Sequence, residues 1–217
     1  MELRKQKEIE YYDKRAEEFL KEKSERKWLG DFEGFQALSL GSYKFCYDWL
    51  RNHCQNKVIL DYGCGNGLHA LEIVKMGAEK VIGIDLSEKS LEIARERAKR
   101  EGLIEKVEFL NMDCEKMDFP ENFFDIVFDG GTFSSLDLKK AYPELARILK
   151  PGGLLIGIET FGHNPITNLK RKLNKLIGKR TAWAVEHIFQ IKDLKEAKKY
   201  FNKIEVHYFH LISWLAF

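Results

Sequence analysis

The chain has 217 residues, is 44% hydrophobic and 32% charged, and carries 36 Lys and Arg against 34 Asp and Glu, for a net charge of +2. That balance can bury a core and excludes a disordered chain. The near-neutral charge argues against a dedicated nucleic-acid binder, which usually carries a larger and more clustered positive excess.

The length suits one α/β domain with some elaboration. Cys46, Cys54, Cys64 and Cys114 form no C-x-x-C pair and match neither a disulfide framework nor a zinc site, so free thiols and no metal are expected. The charged N-terminus lacks the apolar core of a signal peptide, and there is no run of about 18 apolar residues. A cytoplasmic protein, at most peripheral to a membrane, is expected.

In chain order, residues 2–27 read as a helix, with Ile9, Tyr12, Ala16, Phe19 and Leu20 at helical spacing, and a second helix is expected over 35–53. Residues 1–56 are therefore assigned to an N-terminal helical lid and 57–217 to an α/β domain. From Lys57 strands alternate with helices. Strands are expected at 58–61, 81–85, 107–110, 124–128 and 154–158. The helix over 68–76 stops at Gly77; the next is capped by Ser87, reaches about Arg100 and stops at Gly102. Another runs to Leu149 with Pro143 in its first turn, before Lys150-Pro151-Gly152-Gly153. A helix over 193–201 and a strand over 203–210 follow. This alternation predicts a doubly wound, mostly parallel sheet, Rossmann-like, with right-handed crossovers. Its ligands belong beyond the carboxyl ends of the strands.

The first strand ends in Asp61-Tyr62-Gly63-Cys64-Gly65-Asn66-Gly67. Glycines let the chain turn tightly and let a ligand approach the backbone, although a tight turn alone would also use them. A dinucleotide fingerprint reads G-x-G-x-x-G; here the spacing is G-x-G-x-G, preceded by a carboxylate that is awkward beside a pyrophosphate and well suited to an ammonium or sulfonium. Asp85, ending the second strand beside Leu86, can accept ribose hydroxyls or serve as an N-cap, a place Ser87 already fills. After the third strand, Asp113 and the Cys114 backbone could meet an adenine edge and Met112 its face; alone, Asp113 also fits a surface turn.

These segments, VILDYGCGNG at 58–67, VIGIDLS at 81–87, NMDCEKMDFPENFFDIVFDGG at 111–131 and LKPGGLLI at 149–156, resemble the class I S-adenosylmethionine-dependent methyltransferases, particularly their small-molecule and lipid-modifying branch. The resemblance implies S-adenosyl-L-methionine as cofactor. Asp61, Gly63, Cys64, Gly65 and Gly67 would hold its methionine end, Asp85 and Leu86 its ribose, and Met112, Asp113 and Cys114 its adenine. Asp129 and Gly130 would face the methyl group and acceptor. Methyl transfer is an in-line displacement that needs alignment and exclusion of water. If the acceptor must lose a proton, Glu159, His163 and His187 are the candidate bases, with Tyr11 and Tyr12 as lid residues.

A nicotinamide-dependent oxidoreductase is disfavoured by the glycine spacing, by Asp61 and by the lack of a Tyr/Lys or His catalytic pair. A non-catalytic cofactor-binding scaffold is disfavoured by the complete constellation. Asp129-Gly130-Gly131-Thr132 is no Asn-Pro-Pro-Tyr-type motif, which argues against base methylation, although the basic segment after the fifth strand could track phosphates in a nucleic-acid methyltransferase. Residues 160–190 form a basic insertion. Lys170, Arg171, Lys172, Lys175, Lys179 and Arg180 accompany an apolar stripe of Ile166, Leu169, Leu173, Leu176 and Ile177. Such a segment is a solvated helix, or a cap that recruits an anionic small-molecule or lipid-like substrate or rests on an anionic membrane. The apolar tail Leu211–Phe217 is a second candidate for membrane contact.

Overall fold

The computed structural model describes residues 2–21, 41–162, 165–176 and 180–209. Five strands, β1 (Val58–Tyr62), β2 (Lys80–Asp85), β3 (Val107–Asn111), β4 (Phe124–Asp129) and β5 (Leu149–Gly157), form one sheet in the order β3-β2-β1-β4-β5. Every neighbouring pair is parallel. The chain builds outward from β1 to β3 and then restarts on the other side at β4, so the switch point lies between β1 and β4, where such sheets open a crevice for ligand.

Helices α3 (Leu68–Lys75), α4 (Glu88–Arg100) and α5 (Leu138–Ile148) make the crossovers. On one face Leu71, Val74 and Leu91 pack on Ile59, Val81 and Ile126, joined by Leu50 of α2 (Gly41–His53). On the other, Tyr142, Leu145 and Ile148 pack on Leu60, Ile82 and Val127. Both faces of the inner strands are covered, which explains their continuous apolar runs. The predicted punctuation is present: Ser87 accepts from the Ser90 N–H at 3.1 Å at the start of α4, and Gly77 and Gly102 follow α3 and α4 with φ of +105° and +68°.

Helix α1 (Leu3–Lys21) lies across the carboxyl ends of the strands, and α6 (Pro165–Leu176), α7 (Ala182–Glu186) and α8 (Ile191–Ala197) follow the sheet. The expected extensions of the first two helices through 22–40 lie outside the described residues.

Three expectations are corrected. Helix α5 starts at Leu138, because Asp137 caps it and its carbonyl accepts from Lys140 and Ala141 at 2.9 and 3.0 Å. Pro143 therefore sits in the second turn, where its missing N–H removes a bond to the Lys139 carbonyl. Strand β5 begins at Leu149 instead of Leu154: Leu149 pairs with Phe124 and Leu154 with Ile126. The Pro151-Gly152-Gly153 segment, with Gly152 at φ +78°, is taken up as a bulge. Residues 203–209 form no strand. Glu205 and His207 and their alternates Val206 and Tyr208 are exposed, and of this segment Ile204 packs on the second core cluster, so neither face of the alternation is buried along its length. Phe209 and His207 instead rest on Phe45 of α2, at centroid distances of 5.7 and 4.4 Å.

Candidate active site

The turn after β1 is built on left-handed backbone: Gly63, Gly65 and Gly67 have φ of +70°, +51° and +79°. Two of these glycines also meet close neighbours. A Cβ at Gly63 would collide with Thr132, whose hydroxyl donates to the Tyr62 carbonyl at 3.1 Å, and one at Gly67 would meet Ala94 and Phe109 within 2.8 Å. A Cβ at Gly65 would meet nothing within 4 Å. The turn thus packs tightly at both ends and presents open backbone in its middle.

Asp61 is 1% exposed, and its Oδ2 has no hydrogen-bond partner. Burial pushes its pKa up to about 8, against an Ala70 backbone hydrogen bond that favours the charge; Asp129 and Asp85 add repulsion. A buried carboxyl with an idle oxygen wants a cation, and an incoming ammonium fits it. Asp85, one strand over, takes one backbone N–H on each oxygen, Gly65 at 2.9 Å and Ser87 at 2.8 Å. Those bonds fix the carboxylate and leave a lone pair on each oxygen for a pair of hydroxyls. The donor set therefore fits S-adenosylmethionine: an idle acid for the ammonium, open backbone beside it, and an oriented carboxylate for the ribose.

Beyond β3, Asp113 accepts from the Glu115 N–H at 2.9 Å and pairs with Lys5 of α1 at 2.5 Å. Lys5 thus occupies Asp113, the carboxylate expected from the sequence to meet an adenine amino group. Cys114 is buried, its carbonyl taking the Tyr62 hydroxyl at 2.7 Å. Met112 packs at the edge of the second core cluster, and the Leu86 carbonyl takes the Asn111 amide at 3.0 Å. The four cysteines are all buried thiols.

Helix α1 is clasped over this row. Arg4 forms a two-pronged pair with the fully buried Glu115 carboxylate, both contacts 2.7 Å. Ser87 Oγ donates to Asp13 at 2.6 Å, and Lys89 pairs with Glu17. Tyr12 is near enough to feel the charges of both Asp85 and Arg180, so α1 spans from the end of β2 to the segment between α6 and α7.

Asp129, at the end of β4, is fully buried and accepts from the Thr132 N–H at 2.9 Å. It hydrogen-bonds Glu159, which also accepts from the Phe133 N–H at 2.7 Å. Burial drives Asp129 up to about 6 and Glu159 well above the usual carboxylate range, so the two share a proton. The structure thus brings together Asp61, Asp129 and Glu159 at the ends of β1, β4 and β5. His187 stands apart, exposed at the end of α7, stacked on Trp183 at 3.6 Å with Nδ1 against its carbonyl at 3.0 Å. His163 lies outside the described residues.

An aromatic wall escaped the sequence reading. Tyr47 of α2 is hydrogen-bonded to Nδ1 of His69, in the first turn of α3, and Tyr43 stacks on the same ring at 5.9 Å. A Cβ on Gly130 would meet His69 Nε2 at 3.2 Å, so the imidazole flanks the end of β4. Burial lowers His69 to about 4, which keeps it neutral. Its place two residues after Gly67, and the i, i+4 spacing of Tyr43 and Tyr47, were the available signals.

A doubly wound sheet with acids and a glycine turn gathered at its switch point is the arrangement on which α/β proteins bind nucleotides. Residues 59–153 match the family described as methyltransferase domain. The chain is 42% identical over 97 residues to the sterol 24-C-methyltransferase of Aspergillus fumigatus, covering 44% of this chain and 26% of that one. It is 37% identical over 114 residues to the demethylmenaquinone methyltransferase of Bacteroides fragilis, covering 52% and 46%. The match thus spans less than half the length of either relative. The geranyl diphosphate C-methyltransferase of Streptomyces coelicolor, solved with Mg2+, geranyl diphosphate and S-adenosyl-L-homocysteine, has the same fold: TM-score 0.66 over 91% of this chain and 78% of that one, at 14% identity. Residues 59–153, which hold the glycine turn, Asp85, Asp113 and Asp129, are thus similar to a methyltransferase domain.

Proposed function

We propose that this protein transfers a methyl group from S-adenosylmethionine to a small-molecule or lipid-like acceptor. The observation that carries the reading is the idle, buried oxygen of Asp61 beside the open backbone of Gly65. The cofactor, when bound, supplies a methyl group already activated on a sulfonium. Asp61 then holds the ammonium, Asp85 the ribose hydroxyls, and Met112, Asp113 and Cys114 the adenine, with Asp113 exchanging Lys5 for the base. Helix α1 closes over them as a lid that excludes water.

The Asp129–Glu159 pair receives the acceptor's proton. Its single shared proton leaves one negative charge beside the reacting position, and the neutral His69 with Tyr43 and Tyr47 walls that position off. The cap residues α6 and α7 bound the acceptor. Its basic side chains suit an acceptor with an acidic group. The outward leucines of α6, with Lys172 and Lys175, suit collection of a lipid-like acceptor from an anionic membrane surface. No described helix is long and apolar enough to cross a membrane.

Calorimetry with S-adenosylhomocysteine and NAD tests the assignment. Binding of the homocysteine product without NAD is expected; tight NAD binding with none of the product would overturn it.

A further inference from the structure

Helix α6 is inside out. Leu169, Leu173 and Leu176 are 60%, 53% and 80% exposed, whereas Arg171 points inward and is 6% exposed. Its Nη2 donates to the Ala184 carbonyl, but its buried Nε has no hydrogen-bond partner. Among the described residues Arg171 forms no ion pair, and the half-buried Arg180 forms neither an ion pair nor a hydrogen bond. Buried cations are ordinarily paired.

Instead Arg171 feels another cation. Burial, then the like charge of Arg180, pulls its pKa down, with Glu159 and Tyr12 acting the other way. Among the described residues neither nearby acid, Glu159 or Glu8, forms an ion pair with either arginine, although Glu8 feels Arg180 and Glu159 feels Arg171 through space. Glu159 shares a proton with Asp129, and Glu8, itself pushed up by burial, is held by the Thr181 hydroxyl. A further buried donor of the cap, Trp183 Nε1, also lacks a partner.

We propose that Arg171 and Arg180 form an anion-binding subsite that takes a carboxylate or phosphate group carried by the methyl acceptor. Two guanidinium forks suit either group, which they can grip through paired N–H donors. Position supports this. Arg171 lies within electrostatic reach of Glu159, which touches Asp129 where β4 ends, so the acidic group sits close to the atom that is methylated. The inference rests on the methyltransferase reading and adds the chemistry of its acceptor.

The test uses the whole chain saturated with S-adenosylhomocysteine, titrated with inorganic phosphate and with decyl phosphate against decanol. Both phosphates are expected to bind, with decanol weaker than decyl phosphate by about tenfold. Arg171→Gln and Arg180→Gln should each lose about tenfold, and Lys172→Gln, on the exposed side of α6, less than about twofold. Arg171→Gln removes an unpaired buried charge, so its thermal midpoint should hold or rise.

Phosphate binding that is absent, indifferent to Arg171 and Arg180, or lost equally with Lys172→Gln would overturn the subsite. Loss with Leu173→Ser but not Arg171→Gln would assign the affinity to the outer face of α6 and also overturn it. Binding of the homocysteine product in the same titration separates the two ideas. Its absence in the wild type defeats the cofactor reading, whereas its presence without phosphate binding defeats only the subsite.

Discussion

In the roles proposed for them, the carboxyl ends of β1 and β2 and the cap over α6 and α7 hold a charged ligand by opposite means. At the strand ends acids are fixed by backbone: Asp85 by two main-chain N–H groups, the glycine turn by its own left-handed torsions. In the cap the cations Arg171 and Arg180 come from a helix and a loop that put leucines outside and arginine inside. The difference teaches that recognition of a constant ligand can be written into main-chain geometry. Recognition of a particular acceptor is left to side chains that can change without disturbing the sheet.

The largest effect should come from the backbone of the first region. Gly63→Val demands a β-branched residue at φ +70° and a collision with Thr132; calorimetry should show loss of about 100-fold or more in S-adenosylhomocysteine affinity. Asp85→Asn keeps the shape but weakens acceptance from hydroxyls, and about a tenfold loss is expected. Unchanged affinity would remove its ribose role.

Next is the clasp that joins the two regions. Arg4→Ala removes the two-pronged partner of the buried Glu115 carboxylate and leaves it Lys5 at 2.9 Å and the Asp137 N–H at 2.6 Å; burial raises its pKa, but these three partners hold it below the usual value. We expect about 2 kcal/mol less stability by urea denaturation, with faster hydrogen exchange along α1. Exchange unchanged in α1 would show that the helix is held by other contacts. The smallest effect belongs to the outer face of the cap. Leu173→Ser should change stability by less than about 0.5 kcal/mol while reducing flotation with anionic vesicles; unchanged flotation would reduce the outward leucines to a solvated surface.

The first region was largely legible in the sequence because main-chain requirements leave residue signatures. Glycines mark positive φ, Ser87 marks a helix start, and carboxylates at strand ends mark the crevice. What failed depended on partners far along the chain. Lys5 claiming Asp113 joins residues whose meeting no local pattern encodes. Pro143 was misplaced because the cap at Asp137 outweighs one lost hydrogen bond, and β5 began early because a bulge absorbs a Pro-Gly-Gly segment. Residues 203–209 have the alternation of a strand but no neighbour that buries one side of it. The apolar stripe of α6 was visible; which way it faces was not, since periodicity fixes a face and not its direction.

Asp61 carries the proposed cofactor recognition most directly. Its folded pKa, about 8, is raised above the ordinary 3.8 by burial. The ligand-free native state therefore keeps a proton that the unfolded chain has released, and stability falls as pH rises from about 4 toward 8. Binding an ammonium requires that proton to leave, so affinity runs the other way. The decisive measurement is S-adenosylhomocysteine affinity from pH 6 to 8 for the wild type and Asp61→Asn. The wild type should tighten with pH by up to about tenfold per unit, while Asp61→Asn should bind weakly with little slope and be the more stable of the two without ligand at pH 8. Equal affinities with equal slopes would contradict the claim that the buried carboxyl of Asp61 recognises the cofactor.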